Sequence, residues 1–250
     1  MNRSLWTRAV TQRRAPAWPC PACRKGTLTL VPKSLVHKET VESSRAHGRE
    51  AWDPDWITYT FTAWVRCGHS TCGQEFVVSG DGGIEPEYDA DEGMTWEPYF
   101  APRFCWPTLD IFDVPAKCPA EVKAQLRAGF TLFWSDPAAT ASRVRIALER
   151  LMDHVGVPKR RRDKTGKFFD LSLHNRIEIF QKGEPAIGSQ LMALKWLGNT
   201  GSHEGQVTRE DVLDAFEILE NALAELIDRR TAKVAALARK LSKKHARRRR

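Results

Sequence analysis

Two tight cysteine pairs constrain this chain more than any other feature. Cys20-Pro21-Ala22-Cys23 leaves two residues between its thiols, and Cys67-Gly68-His69-Ser70-Thr71-Cys72 supplies a second close pair followed by Gly73. Two turns that each present two thiolates can surround a zinc ion tetrahedrally at about 2.3 Å per bond. The chain between them supports this. Ile57, Tyr59, Phe61, Ala63 and Val65 alternate with Thr58, Thr60, Thr62 and Trp64, the period of a half-buried strand running into the second pair. Gln74 to Ser79 reads as a strand leading out, and Thr27 to Val31 as a third short strand. Residues 19–80 are therefore expected to form a zinc ribbon, with Cys20, Cys23, Cys67 and Cys72 holding one structural zinc. Four thiolates leave the metal no open position for water, so its expected role is in folding. His69 is the alternative donor for one position, and Cys105 and Cys118 read as ordinary buried thiols.

Composition sets the frame for the rest. With 250 residues, 42% hydrophobic and 28% charged, the chain can bury a full core as one large or two smaller domains. No apolar stretch approaches the roughly 18 residues of a membrane span, and Met-Asn-Arg-Ser-Leu-Trp-Thr-Arg lacks the apolar run of a secretory signal. A cytoplasmic protein without membrane contact is expected, and a reducing cytosol disfavours disulfides.

The net charge of +8 is not spread over the surface. Residues 229–250 hold 11 Lys or Arg and no Asp or Glu, leaving 28 basic against 31 acidic residues elsewhere. Such a tail can bind the phosphates of RNA or DNA by counterion release, or it can be a solvated helix end whose cations favour the C-terminal dipole. Residues 1–18 form a shorter basic arm. Residues 81–116 open with Asp81, Glu85, Glu87, Asp89, Asp91, Glu92 and Glu97 among Gly and Pro, a pattern expected of a surface linker or lid.

From residue 117 the periodicity becomes helical. Glu121 to Trp134 reads as one helix; Asp136-Pro137 opens another, in which Val144, Leu148, Leu151 and Val155 form a stripe. Lys159 to Lys167 is expected as an exposed loop, followed by short helices over about 171–181 and 185–197. Thr208 caps the longest helix, with Val212, Phe216, Leu219, Leu223 and Leu226 on one side and the stripe continuing towards Val234 and Leu237. The expected fold class is α+β: a small β zinc ribbon, then an antiparallel helical bundle over 117–228 and a basic tail over 229–250.

Leu197-Gly198-Asn199-Thr200-Gly201-Ser202-His203 is the one segment that suggests chemistry. Asn199 and His203 at a junction of two helices are placed to act on a phosphate or hydroxyl. Gly198 as a C-cap, Asn199 as a turn residue and His203 as a half-buried loop residue explain the same segment without activity.

Asp136-Pro137-Ala138-Ala139, Arg145-Ile146-Ala147-Leu148-Glu149 and Leu197 to His203 together resemble domain of unknown function 4145 over residues 105–228. That helical domain appears in bacterial defence-associated proteins, including type I restriction subunits, often beside a zinc ribbon. The family is similar in turn to the HEPN superfamily, whose active members are metal-independent ribonucleases with four to six residues between an Arg and a His and commonly an Asn directly after that Arg. Here Asn199 and His203 match, but Gly198 stands where the arginine is expected. The resemblance implies His203 as general acid or base, Asn199 as its orienting partner, and Lys195 or Arg145 as the substitute cation. Glu149, one turn beyond Arg145, is either part of such a site or its ordinary ion-pair partner.

Two functions follow. As a module, the chain is a nucleic-acid- or partner-binding component of a defence system, as a homodimer or within a larger complex. As an enzyme, it is an endoribonuclease using His203 and Asn199.

Overall fold

The computed structural model describes residues 1–89, 93–203 and 207–246; the side chains of Asp89, residues 200–203 and Ala246 also lie outside the description. The chain divides into two compact units, one of Asn2–Ile111 with Phe130–Asp136, the other of Met1, Phe112–Gly129 and Pro137–Arg250.

The first unit is built on an antiparallel sheet. Its elements are α1 (Ser4–Thr7), β1 (Val10–Thr11), β2 (Leu28–Leu30), β3 (Val36–Glu39), α2 (Val41–Ala46), β4 (Thr58–Cys67), β5 (Glu75–Asp89) and β6 (Gly93–Trp106). The strands run in the order β1-β6-β5-β4-β2, with β3 also paired to β4. Strand β4 has the expected alternation: Phe61, Ala63, Val65 and Cys67 are buried while Thr60, Thr62, Trp64 and Arg66 are exposed. Its inner face packs into a core with Phe76, Val78 and Phe100. Trp6, Trp18 and Trp134 form a second aromatic group, with Trp134 5.5 Å from Trp18 between centroids and its indole N–H donating to the Trp6 carbonyl at 3.3 Å.

The acidic segment expected as a linker is a hairpin. Residues 81–89 belong to β5 and 93–106 to β6, paired from Val77↔Trp106 to Asp89↔Gly93. Gly80 and Gly82, which read as loop punctuation, sit where β5 bulges and presses on β6: a Cβ on Gly80 would lie 2.1 Å from the Ala101 carbonyl oxygen. Prolines are tolerated because, among the described residues, β6 has an outer partner only at Tyr99 and Phe100, so most of it is an edge. Beyond the Thr58↔Gly83 pair the hairpin has no strand on the β4 side among the described residues, and Glu85 to Tyr88 are exposed. An element wetted on both faces carries no apolar alternation for a sequence pattern to show.

The second unit is helical: α3 (Ala120–Leu132), whose last turn joins the first unit, α4 (Pro137–His154), α5 (Leu173–Gln181), α6 (Pro185–His203), α7 (Arg209–Leu226) and α8 (Arg230–Ala246), with a hairpin of β7 (Arg160–Arg162) and β8 (Phe168–Asp170) between α4 and α5. Helix α6 packs against α4, α5 and α7. The core holds Val144, Leu148, Leu151, Ile177, Leu191, Phe216 and Leu219, where a Leu→Ala change costs about 2–5 kcal/mol. Thr208 caps α7 as expected: its hydroxyl accepts from the Asp211 N–H, and the Asp211 carboxylate accepts from the Thr208 N–H at 2.8 Å.

Arg176 is buried and ties α5 to the end of α4. It donates to Asp153 at 2.7 Å and to the carbonyls of Val157 and Glu149. Glu149 lies near the C-terminal end of α4 and Val157 three residues beyond it, a region where a cation is favoured.

Three expectations change. Helix α6 continues past Leu197 to His203. The expected loop at 159–167 is the β7–β8 hairpin, closed by Asp163, which accepts from the N–H groups of Thr165 and Lys167. The last helix is two helices, because Arg229 adopts φ 51° and ends the first before α8 begins.

Candidate functional site

The four expected thiols converge. Sγ atoms of Cys20, Cys23, Cys67 and Cys72 all lie within 4.8 Å of one another, with Cys20 and Cys72 3.8 Å apart and Cys23 and Cys67 3.6 Å apart. A tetrahedral metal with thiolate bonds of about 2.3 Å needs sulfurs about 3.8 Å apart. All four cysteines are free of disulfides. The first pair sits in the turn before β2, the second in the turn between β4 and β5, and the Leu28↔Cys67 register brings the turns together.

The backbone favours charge on these sulfurs. N–H groups of Lys25 and Gly26 point at Cys23 and lower its pKa to about 6. The His69 N–H donates to Cys67 at 3.5 Å, yet burial and the three neighbouring thiols push Cys67 to about 12. Burial likewise raises Cys20, against N–H groups of Cys23 and Ala22. Four thiols this close cannot all ionise without a cation among them, and a bound metal removes that conflict. Gly26 makes the approach possible, since a Cβ there would lie 2.6 Å from the Cys67 sulfur. Sequence reasoning passed over Gly26; its place three residues after Cys23 is the signal that could have found it.

His69 is not among the clustered donors; its Nδ1 lies 3.1 Å from the Thr71 hydroxyl. Cys105 and Cys118 are also outside the cluster, and burial raises them to about 12 and about 11, so both are protonated, inert thiols.

The second set of expected residues lies on α4 and α6. Gly198 is an interior position of α6, where the chain touches α4: a Cβ there would lie 2.7 Å from Arg145 Cβ and 3.2 Å from the Ala141 carbonyl oxygen. Gly198 is thus a close-approach residue, which replaces its reading as a C-cap. Arg145 runs beside the helix turn that carries Asn199, and Asn199 and His203, four apart on one helix, share a face of the backbone. The His203 side chain lies outside the described residues. Arg145 Nε is buried without a hydrogen bond among the described residues, 3.9 Å from Glu149. Lys195, four residues before Asn199 on α6, shares that backbone face; it is buried, with its ammonium 3.3 Å from the centroid of the Trp196 ring. The two candidate cations thus reach this segment differently: Lys195 from within α6, and Arg145 from α4 through its contact with Gly198.

Residues 128–247 match the family model of Domain of unknown function DUF4145. The match supports the expected family, but it begins at residue 128 rather than the expected 105 and runs through α8 instead of ending at 228. Residues 8–105 match a second model, Domain of unknown function DUF8608, which spans the sheet from β1 to nearly the end of β6. No curated protein and no solved structure matches the chain.

Proposed function

We propose that this protein is a zinc-stabilised nucleic-acid-binding component of a bacterial defence system, with a zinc-ribbon core in its N-terminal unit and a HEPN-like helical unit. Cys20, Cys23, Cys67 and Cys72 hold the zinc as four thiolates, and a closed site of this kind supplies folding energy rather than a reaction. The observation that carries nucleic-acid binding is α8, which is exposed along its described length and presents Arg230, Lys233, Arg239, Lys240, Lys243 and Lys244 without one acidic residue. The DUF4145 match supports the defence context through the resemblance of that family. The stripe of Val234, Leu237 and Leu241, each more than half exposed, supplies a surface for a homodimer or a larger complex. The test is affinity for duplex and single-stranded oligonucleotides against salt: removal of residues 239–250 reduces the slope of log affinity on log salt. An unchanged slope excludes the tail.

A second reading is favoured by the Arg145–Gly198 contact. In a HEPN-type ribonuclease an arginine precedes the asparagine; here α4 delivers Arg145 to the backbone at that position. His203 would move the proton of a ribose 2′-hydroxyl or of the leaving oxygen, Asn199 would orient it, and Arg145 would balance charge on phosphorus.

A further inference from the structure

We infer that the β7–β8 hairpin and the groove beside it form a second binding surface, one for single-stranded nucleic acid. This deepens the proposed function and rests on its nucleic-acid reading, but at a place distinct from the basic tail.

The hairpin is unusual in what it exposes. Phe168 and Phe169 are adjacent and 57% and 45% exposed, although neither has a polar atom to offer water. Each is paired across the strands with an arginine, Phe168 with Arg162 and Phe169 with Arg161, and adjacent residues of a strand point to opposite faces. One face of the hairpin therefore carries Phe168 with Arg162 and Arg160, the other Phe169 with Arg161. On one face the Arg162 guanidinium lies 4.6 Å from the Phe168 centroid. On the other, Arg161 and Phe169 line an open groove of about 550 Å³ completed by α5, with Asn175, Glu178 and Lys182 among its walls.

Charge selects the ligand. Residues 159–170 hold six cations and two carboxylates, and both carboxylates are engaged. Asp163 accepts the turn's N–H groups, and Asp170 pairs with Arg160 at 2.7 Å. Arg161, Arg162, Lys164 and Lys167 have no carboxylate within ion-pair distance among the described residues. An exposed ring set between uncommitted cations fits a base with its flanking phosphates, stacking on Phe169 while Arg161 and Lys182 take the phosphates. A duplex keeps its base faces stacked and cannot use the rings, which selects a single strand. Glu178 is the one acidic group of the groove wall, 3.5 Å from His174, and Asn175 is placed to hydrogen-bond a base edge.

The test uses the full chain and fluorescein-labelled 12-nucleotide oligo-dT and oligo-rU, with binding read by anisotropy, and a duplex for comparison. Phe169→Ala is expected to weaken single-strand binding about 5- to 150-fold, the range that stacking of one base is worth, with the salt slope and duplex affinity unchanged. Phe169→Tyr retains binding. Arg161→Gln with Lys182→Gln lowers the single-strand salt slope by about 0.7 for each phosphate that is no longer neutralised. Phe169 is exposed, so circular dichroism of the variants stays that of the parent. Parent-like affinity in Phe169→Ala overturns the hairpin surface and leaves the nucleic-acid function standing through the tail. Absence of any binding by the intact chain at low salt overturns both.

Discussion

Gly198 and Arg145 occupy one contact between α6 and α4, where a single added carbon at 198 would lie 2.7 Å from the arginine Cβ. The residue a ribonuclease motif would place at 198 has no room there, because an arginine from another helix already fills the space. Gly198→Ala should destabilise the helical unit by about 1–3 kcal/mol through overpacking, read as a lower urea midpoint with unchanged slope. A midpoint equal to the parent's would mean that α4 and α6 separate at no cost.

If the helical unit cuts RNA, the products end in 2′,3′-cyclic phosphates and no metal is required. His203→Ala should abolish cleavage, a loss on the order of 10²- to 10⁴-fold, with a smaller loss for Asn199→Ala. Arg145→Ala and Lys195→Ala distinguish the two candidate cations: whichever balances charge on phosphorus should cost about 3–4 kcal/mol of transition-state stabilisation, and the other much less. Denaturing gels with the variants, run with any cognate complex present, decide it; cleavage that survives His203→Ala removes the enzymatic reading.

Purified protein should contain one zinc per chain by elemental analysis. Cys72→Ser, which leaves three thiolates, should lose most of it and lower the melting temperature, as a strong chelator should for the parent. Folded, chelator-naive protein with no zinc would leave the four thiols as a bare cluster.

Asp153 is held below the ordinary carboxylate range: burial opposes ionisation, but hydrogen bonds and charge from Lys159 and Arg176 outweigh it. A carboxyl with a depressed folded pKa stabilises above its unfolded value and loses that contribution as pH falls through the folded one. Stability should therefore drop below about pH 4 in the parent, and less steeply in Asp153→Asn. Asp153→Ala at neutral pH leaves Arg176 buried and uncompensated, at a cost of about 3–5 kcal/mol. Urea melts at pH 3, 5 and 7 separate these outcomes.

The α8 stripe predicts self-association. Light scattering at micromolar concentration should give a dimer, and Leu237→Glu a monomer. A parent of monomeric mass at all concentrations excludes it.

What the sequence showed follows from where one face of an element is buried. Strand β4, the stripe of α4 and the α7 cap were legible because each meets a core or obeys a local capping rule. The cysteine pairs were legible because metal ligation needs short spacings. The hairpin of β5 and β6 was not, since its outer part faces water on both sides and its glycines serve close strand contact rather than turns. Nor was the run of α6 through Gly198 to His203, where Gly198, which suggests a helix end, instead permits the close approach of α4. The break at Arg229 has no glycine or proline to announce it. The approach of Arg145 to Gly198 depends on how two helices cross, and no local pattern encodes that.

The left-handed turn at Arg229 also makes the chain divisible in an electrical sense. It opens a helix exposed along its described length in a segment of 11 basic residues, so a trypsin-like protease meets its preferred side chains at the junction itself. Cleavage after Arg229 removes 10 of the 39 basic residues and none of the 31 acidic ones, which takes the net charge of the remaining chain from +8 to −2. The fragment would migrate to the opposite electrode at neutral pH, and its long-range field would repel the polyanions that the intact chain attracts.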